Sequence, residues 1–121
     1  MKITIIREFE LGMNDIDDIM SAALEGGINY WCGEAIIKKI PEEHKDDIEF
    51  ASEVISRDGE LLLKDKETPE SWILTKEKFS QGFKKFCEER AVNPDQVIED
   101  CDADDADCII QYALFNEIVF G

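Results

Sequence analysis

Asp100, Asp102, Asp104, Asp105 and Asp107 crowd the stretch E-D-C-D-A-D-D-A-D-C, and alternating carboxylates of this kind are the raw material of a calcium loop. That loop also needs glycine at its sixth position and glutamate at its twelfth. Counted from Asp100, those positions hold Asp105 and Gln111. The run therefore reads as capping and dipole compensation at a helix start, and no metal is expected. His44, the single histidine, stands in the polar stretch P-E-E-H-K-D-D with no nucleophile or orienting group beside it. Among 29 acidic residues no acid–base pair can be singled out. Cys32, Cys87, Cys101 and Cys108 have no C-x-x-C spacing, so they read as small buried hydrophobes rather than zinc ligands or disulfide partners. No catalytic residue and no cofactor is expected, and the chain reads as a binding protein rather than an enzyme.

The stretch E-G-G-I-N-Y-W-C-G-E-A-I, residues 25–36, offers binding chemistry instead. Gly26 and Gly27 would let backbone approach a ligand, Tyr30 and Trp31 would stack on a planar ring, and Asn29 would read its edge. Arg57, further along, would pair with a phosphate through its guanidinium fork. The competing reading makes the two glycines a helix stop and the aromatics plain core. The residues alone leave both open.

The elements that must carry these residues follow from periodicity. Residues 2–7 (K-I-T-I-I-R) are β-branched and read as a strand. Ile16, Ile19, Met20, Ala23 and Leu24 form a helical stripe with Asn14 as its cap, ended by Gly26 and Gly27 in the left-handed conformation. Residues 28–40 read as a long strand with Gly33 at a bulge, and Pro41 ends it. A helix is expected from Glu42 to Arg57, with Ile48, Ala51 or Phe50, and Ile55 buried. E-L-L-L-K-D and S-W-I-L-T make a hairpin, and Thr75 caps a helix whose Phe79, Phe83 and Phe86 face the core. A terminal helix should run over residues 109–121. The order β-α-β-α-β-β-α-α gives a single α+β domain over residues 1–121, a small antiparallel or mixed sheet covered by helices.

Composition sets the limits on partners. A chain of 121 residues with 44% hydrophobic content can bury a core. Its formal charge of -16 opposes direct contact with nucleic acid or anionic membrane. No stretch approaches the roughly 20 apolar residues of a membrane span, and the first residues lack the pattern of a signal peptide, so a cytoplasmic location is expected. The terminal helix is apolar nearly all round and must be buried on several sides, either as the central helix of one chain's core or, as the preferred reading, between copies through Tyr112, Phe115, Val119 and Phe120, in a homodimer or larger assembly.

The blocks A-L-E-G-G-I-N-Y-W-C, residues 23–32, and D-A-D-C-I-I-Q-Y-A-L-F-N-E-I-V-F-G, residues 105–121, resemble those of a family of short acidic proteins encoded in bacteriophages and prophages. A-S-E-V-I-S-R-D-G-E-L-L-L, residues 51–63, is similar to that family's central portion, so the likeness spans most of the chain. The family has no established activity. What the resemblance implies is a phage accessory protein in the bacterial host's cytoplasm, with counter-defence as a common role. Two binding roles are then expected. One is a sponge that sequesters a nucleotide-derived immune signal at residues 25–33. The other is an acidic mimic of nucleic acid that occupies the basic groove of a host defence enzyme.

Overall fold

A computed structural model describes residues 1–121. Its three-stranded antiparallel sheet has the order β1-β2-β3, with β1 at Cys32–Lys39, β2 at Glu60–Asp65 and β3 at Ser71–Leu74. The hairpin of β2 and β3 forms as the sequence suggests, because Leu61, Leu63 and Leu74 alternate with half-buried or polar neighbours and share the core face. Four helices complete the α+β domain: α1 (Met13–Ala22), α2 (Lys76–Arg90), α3 (Pro94–Asp100) and α4 (Ala103–Phe115).

The core is gathered around α4. Ile109 and Ile110 are fully buried, and α2, α1, the turn after α1 and β3 all pack against this helix. A helix apolar on most sides therefore finds its cover within one chain. Gly82 permits the closest part of this packing. A Cβ there would lie 2.5 Å from the Ile109 carbonyl oxygen and 2.7 Å from the Ala113 Cβ, so α2 and α4 approach almost backbone to backbone. Phe79, Phe83 and Phe86 are buried from α2, and Thr75 caps that helix by accepting from the Lys78 N–H at 3.2 Å.

Five local expectations are corrected. Residues 2–7 form no strand: the segment lies exposed, and no backbone hydrogen bond ties residues 1–11 to the rest. α1 starts before Asn14, with Gly12 at the cap position and the Asp15 carboxylate accepting from the Gly12 N–H at 3.0 Å. β1 starts at Cys32 rather than Ile28, because residues 28–31 form a turn in which Trp31 and Cys32 both donate to the Ile28 carbonyl. The expected helix over residues 42–57 resolves into three 3-10 turns, Glu42–His44, Ala51–Glu53 and Ile55–Arg57. Val54, Ile55 and Ser56 are buried consecutively there while Phe50 stays exposed, so the expected stripe of Ile48, Ala51 or Phe50, and Ile55 does not form. Finally, α4 begins before residue 109 and stops at Phe115, where Asn116 turns left-handed at φ 60°, and residues 117–121 fold back.

Candidate functional site

Gly26 and Gly27 do not end α1 in a left-handed cap, since no glycine in the chain has positive φ. The chain tightens instead into a π turn, Ala23–Gly27. Gly27 is needed there for space: a Cβ would overlap the Ala103 carbonyl oxygen and lie 3.3 Å from that of Ala22. Gly26 faces open space, with nothing within 4 Å. Gly27→Ala should therefore cost about 2 kcal/mol through overpacking. Gly26→Ala should be neutral or stabilise by up to about 1 kcal/mol, as alanine does in helical backbone. Urea melts of the two variants check this, and equal effects would place both glycines in the same role.

The π turn delivers Tyr30 and Trp31 to α4. The Trp31 indole N–H donates to Asp107 Oδ1 at 2.8 Å, and the Tyr30 hydroxyl donates to Asp107 Oδ2 at 2.6 Å. Gln111, one turn later on α4, donates from Nε2 to Asp107 Oδ1 at 2.9 Å and to the Phe120 carbonyl at 3.1 Å. Its Oε1 accepts from the backbone N–H groups of Val119 and Phe120, both at 2.8 Å. Asp107 is the one buried acidic residue among the 29, and Gln111 is wholly buried. Each has its polar atoms paired, as burial demands. Phe120 closes the assembly by stacking on Trp31 at 4.8 Å and 3°, with Trp72 and Phe115 edge-on around the pair. Loss of solvent around the Tyr30 hydroxyl, then its hydrogen bond to Asp107 and that carboxylate's charge, push the phenol up to about 12.

Residues expected at a ligand site and residues expected at a subunit interface thus bind each other. Tyr30 and Trp31 touch Phe120, and Phe115 lies in the same aromatic cluster. Tyr112 is half-buried against the core, and Val119 is about half exposed. Tyr30, Trp31 and Phe120 also border a cleft of about 240 Å³ with Lys66, whereas the exposed Asn29 borders a separate one of about 210 Å³ beyond Ile28.

Arg57 lines neither cleft. Its guanidinium lies 3.2 Å from Asp17, 3.7 Å from Asp47 and 3.8 Å from Glu53, and Ser56 also bonds Asp17 at 2.5 Å. The fork that a phosphate would occupy is filled by the chain's own carboxylates. Asp107 and Gln111 went unrecognised in the sequence, one absorbed into the acidic run and the other noticed only as a failed calcium position. The available signal was their spacing: two polar residues four apart inside an apolar helix share a buried face.

No family model, curated protein or solved structure matches the chain.

The remaining chemistry is sparse. All four cysteines are free, and burial pushes every one of their thiols up, Cys101 to about 12, so none is a thiolate nucleophile near neutral pH. No three His, Cys, Asp or Glu side chains converge to hold a metal ion. No helix is long and apolar enough to cross a membrane. The largest groove, about 580 Å³, lies elsewhere, between residues 7–11 and α2. Its floor includes Phe9, Leu11 and Phe83, and its rim carries Arg7, Lys76 and Lys84.

Proposed function

We propose that this chain is a non-catalytic phage counter-defence protein that acts as a nucleic-acid mimic, laying its acidic surface in the basic groove of a host defence enzyme such as a CRISPR effector. The observation that carries the reading is the acidic ridge of α3 and the start of α4. Asp95, Glu99, Asp100, Asp102 and Asp104 are exposed there, Asp105 is half-buried, and no lysine or arginine follows Arg90 in the chain. Of the ridge carboxylates, Arg7 meets Asp95 alone and Arg90 approaches Asp105 alone, at 3.2 and 3.9 Å, so most of the ridge is uncompensated. Partial burial, then the neighbouring Asp102, hold the Asp105 carboxyl above its usual range. A cationic groove would relieve that crowding, and complementarity of this kind gives both steering and specificity.

The test is binding to purified nucleic-acid-guided nucleases, with duplex DNA as competitor. Binding should be lost as salt rises and should be competed by DNA. The triple variant Glu99→Gln, Asp100→Asn, Asp104→Asn should bind about tenfold or more weakly at unchanged melting temperature. Binding that ignores salt, DNA and the triple variant alike would sink the proposal.

Capture of a nucleotide-derived signal keeps one supporting observation, the groove beside α2. It gathers three of the chain's 13 basic residues above an aromatic floor. Glu10 and Glu88 line it too, however, and Asp95, Asp58 and Glu88 already stand 3.2, 3.4 and 4.0 Å from Arg7, Lys76 and Lys84, so an anion would have to displace the chain's own carboxylates. The sponge reading then moves from residues 25–33 to Arg7, Lys76 and Lys84. Calorimetry against cyclic nucleotides and ADP-ribose derivatives, with Lys76→Gln and Lys84→Gln as controls, separates it from the mimic.

A further inference from the structure

Residues 2–7 have the composition of a strand and no strand to pair with. Ile3, Ile5 and Ile6 are 74%, 82% and 93% exposed, and the backbone of residues 1–11 makes no hydrogen bond within the chain. The segment is nevertheless anchored at its far end, where Arg7 pairs with Asp95, and two residues later, where Phe9 stacks on Phe83 at 6.2 Å. It leaves the body as a tethered, extended ribbon with unsatisfied donors and acceptors.

The sheet offers the matching vacancy. Its β3 edge is short, follows Pro69, and has the Ile73 carbonyl occupied by Lys78 Nζ at 2.8 Å. The β1 edge is longer. From Ala35 to Lys38 nothing outside the ladder with β2 bonds its backbone, and Ile37 is 41% exposed. A strand without an edge and an edge without a strand therefore coexist in one molecule. Residues 1–7 carry Lys2 and Arg7 and no acid, while β1 carries Glu34 as well as Lys38 and Lys39, so the match is one of backbone and apolar surface rather than of charge.

We infer that residues 2–7 add to the β1 edge of a second copy of this chain, and that two copies exchange these segments reciprocally. The pairing extends each sheet to four strands, places Ile3 and Ile5 on one face and Ile6 on the other, and satisfies the free edge. Lys38 and Lys39, with the register shifts that flank the middle of β1, restrict the edge to a short partner and discourage open-ended stacking.

Sedimentation equilibrium of the full chain, from micromolar to hundreds of micromolar, should give a dimer. Ile5→Pro removes a main-chain donor from the segment, and Ile3→Ser with Ile6→Ser removes its apolar cover. Each variant should weaken association by about 100-fold, the scale on which central interface residues act. Both should melt like the wild-type monomer, since Ile3, Ile5 and Ile6 are exposed and their backbone makes no hydrogen bond within the chain. A photo-crosslinker at residue 5, in a mixture of isotope-labelled and unlabelled chains, should join peptides 34–39 of the other copy. A wild type that stays monomeric throughout, dimers that survive both variants, or crosslinks confined to one chain would each overturn the inference.

Discussion

Trp31→Ala should lower the unfolding free energy by about 4 kcal/mol, the range of a large aromatic truncated inside a core. Three losses coincide at this side chain, which is only 2% exposed. The void cannot collapse readily, because Trp72 at 5.9 Å and Phe115 at 6.1 Å are held edge-on by their own strand and helix. Phe120 loses the ring it stacks on, and with it the main apolar contact that folds residues 117–121 back onto α4. Asp107 Oδ1 also loses a donor in a buried setting. Urea denaturation against wild type is the measurement. A cost below about 1.5 kcal/mol would mean that the indole sits in an adaptable pocket rather than in packed core, and would restore residues 25–33 as a ligand site.

That expectation reverses the one suggested by the sequence, and the reason is specific. Glycines beside aromatics are compatible with a ligand pocket and with a tight internal joint, and local sequence carries no information about what lies opposite. Here the opposite surface is α4, more than seventy residues away in the chain, so neither the Trp31–Asp107 bond nor the clash at Gly27 with Ala103 had a local signature. Elements whose partners lie next to them in sequence were legible. The hairpin of β2 and β3, the Thr75 cap and the phenylalanine stripe of α2 all appear where their patterns place them.

Segments whose pattern was right but whose setting was not went astray in an ordered way. Residues 2–7 are β-branched, but a strand needs a neighbour and this chain supplies none within reach. The segment over residues 42–57 has helical composition, yet it folds as separate 3-10 turns, the last of which bury Val54, Ile55 and Ser56 and end at Asp58 in a left-handed conformation. The apolar character of α4 was read correctly as a demand for cover on several sides. Of the two sources of cover that the sequence leaves open, α2, the π turn and the returning residues 117–121 supply much of it from within one chain. Residues 23–32 and 105–121 meet in this joint through the mutual fit of Tyr30, Trp31, Asp107, Gln111 and Phe120.

Asp107 is where that joint should be most sensitive to chemistry rather than size. Asp107→Ala should cost about 3 kcal/mol, because it strands the buried Trp31 N–H and removes the acceptor shared by Tyr30 and Gln111. Asp107→Asn keeps the shape but turns one acceptor into a donor facing other donors, so it should cost about 2 kcal/mol. The charge change gives a second, independent readout at Tyr30. In the folded protein this phenol is raised to about 12 from its ordinary 10, so the neutral hydroxyl is the form that folding favours. Its contribution is complete below pH 10 and is lost as pH climbs through the folded value. Removing the carboxylate takes away the bond and the charge that help hold the proton, leaving partial burial opposed by the hydrogen bond from Gln111. Tyr30 in Asp107→Asn should therefore ionise at lower pH than in wild type, and the alkaline loss of stability should shrink. Phenolate absorbance during an alkaline titration measures this, with Tyr30→Phe separating its signal from that of Tyr112. An unchanged titration together with a stability loss under about 1 kcal/mol would show that the carboxylate is not the centre of the joint, and that apolar stacking of Trp31 on Phe120 alone closes residues 117–121 onto α4.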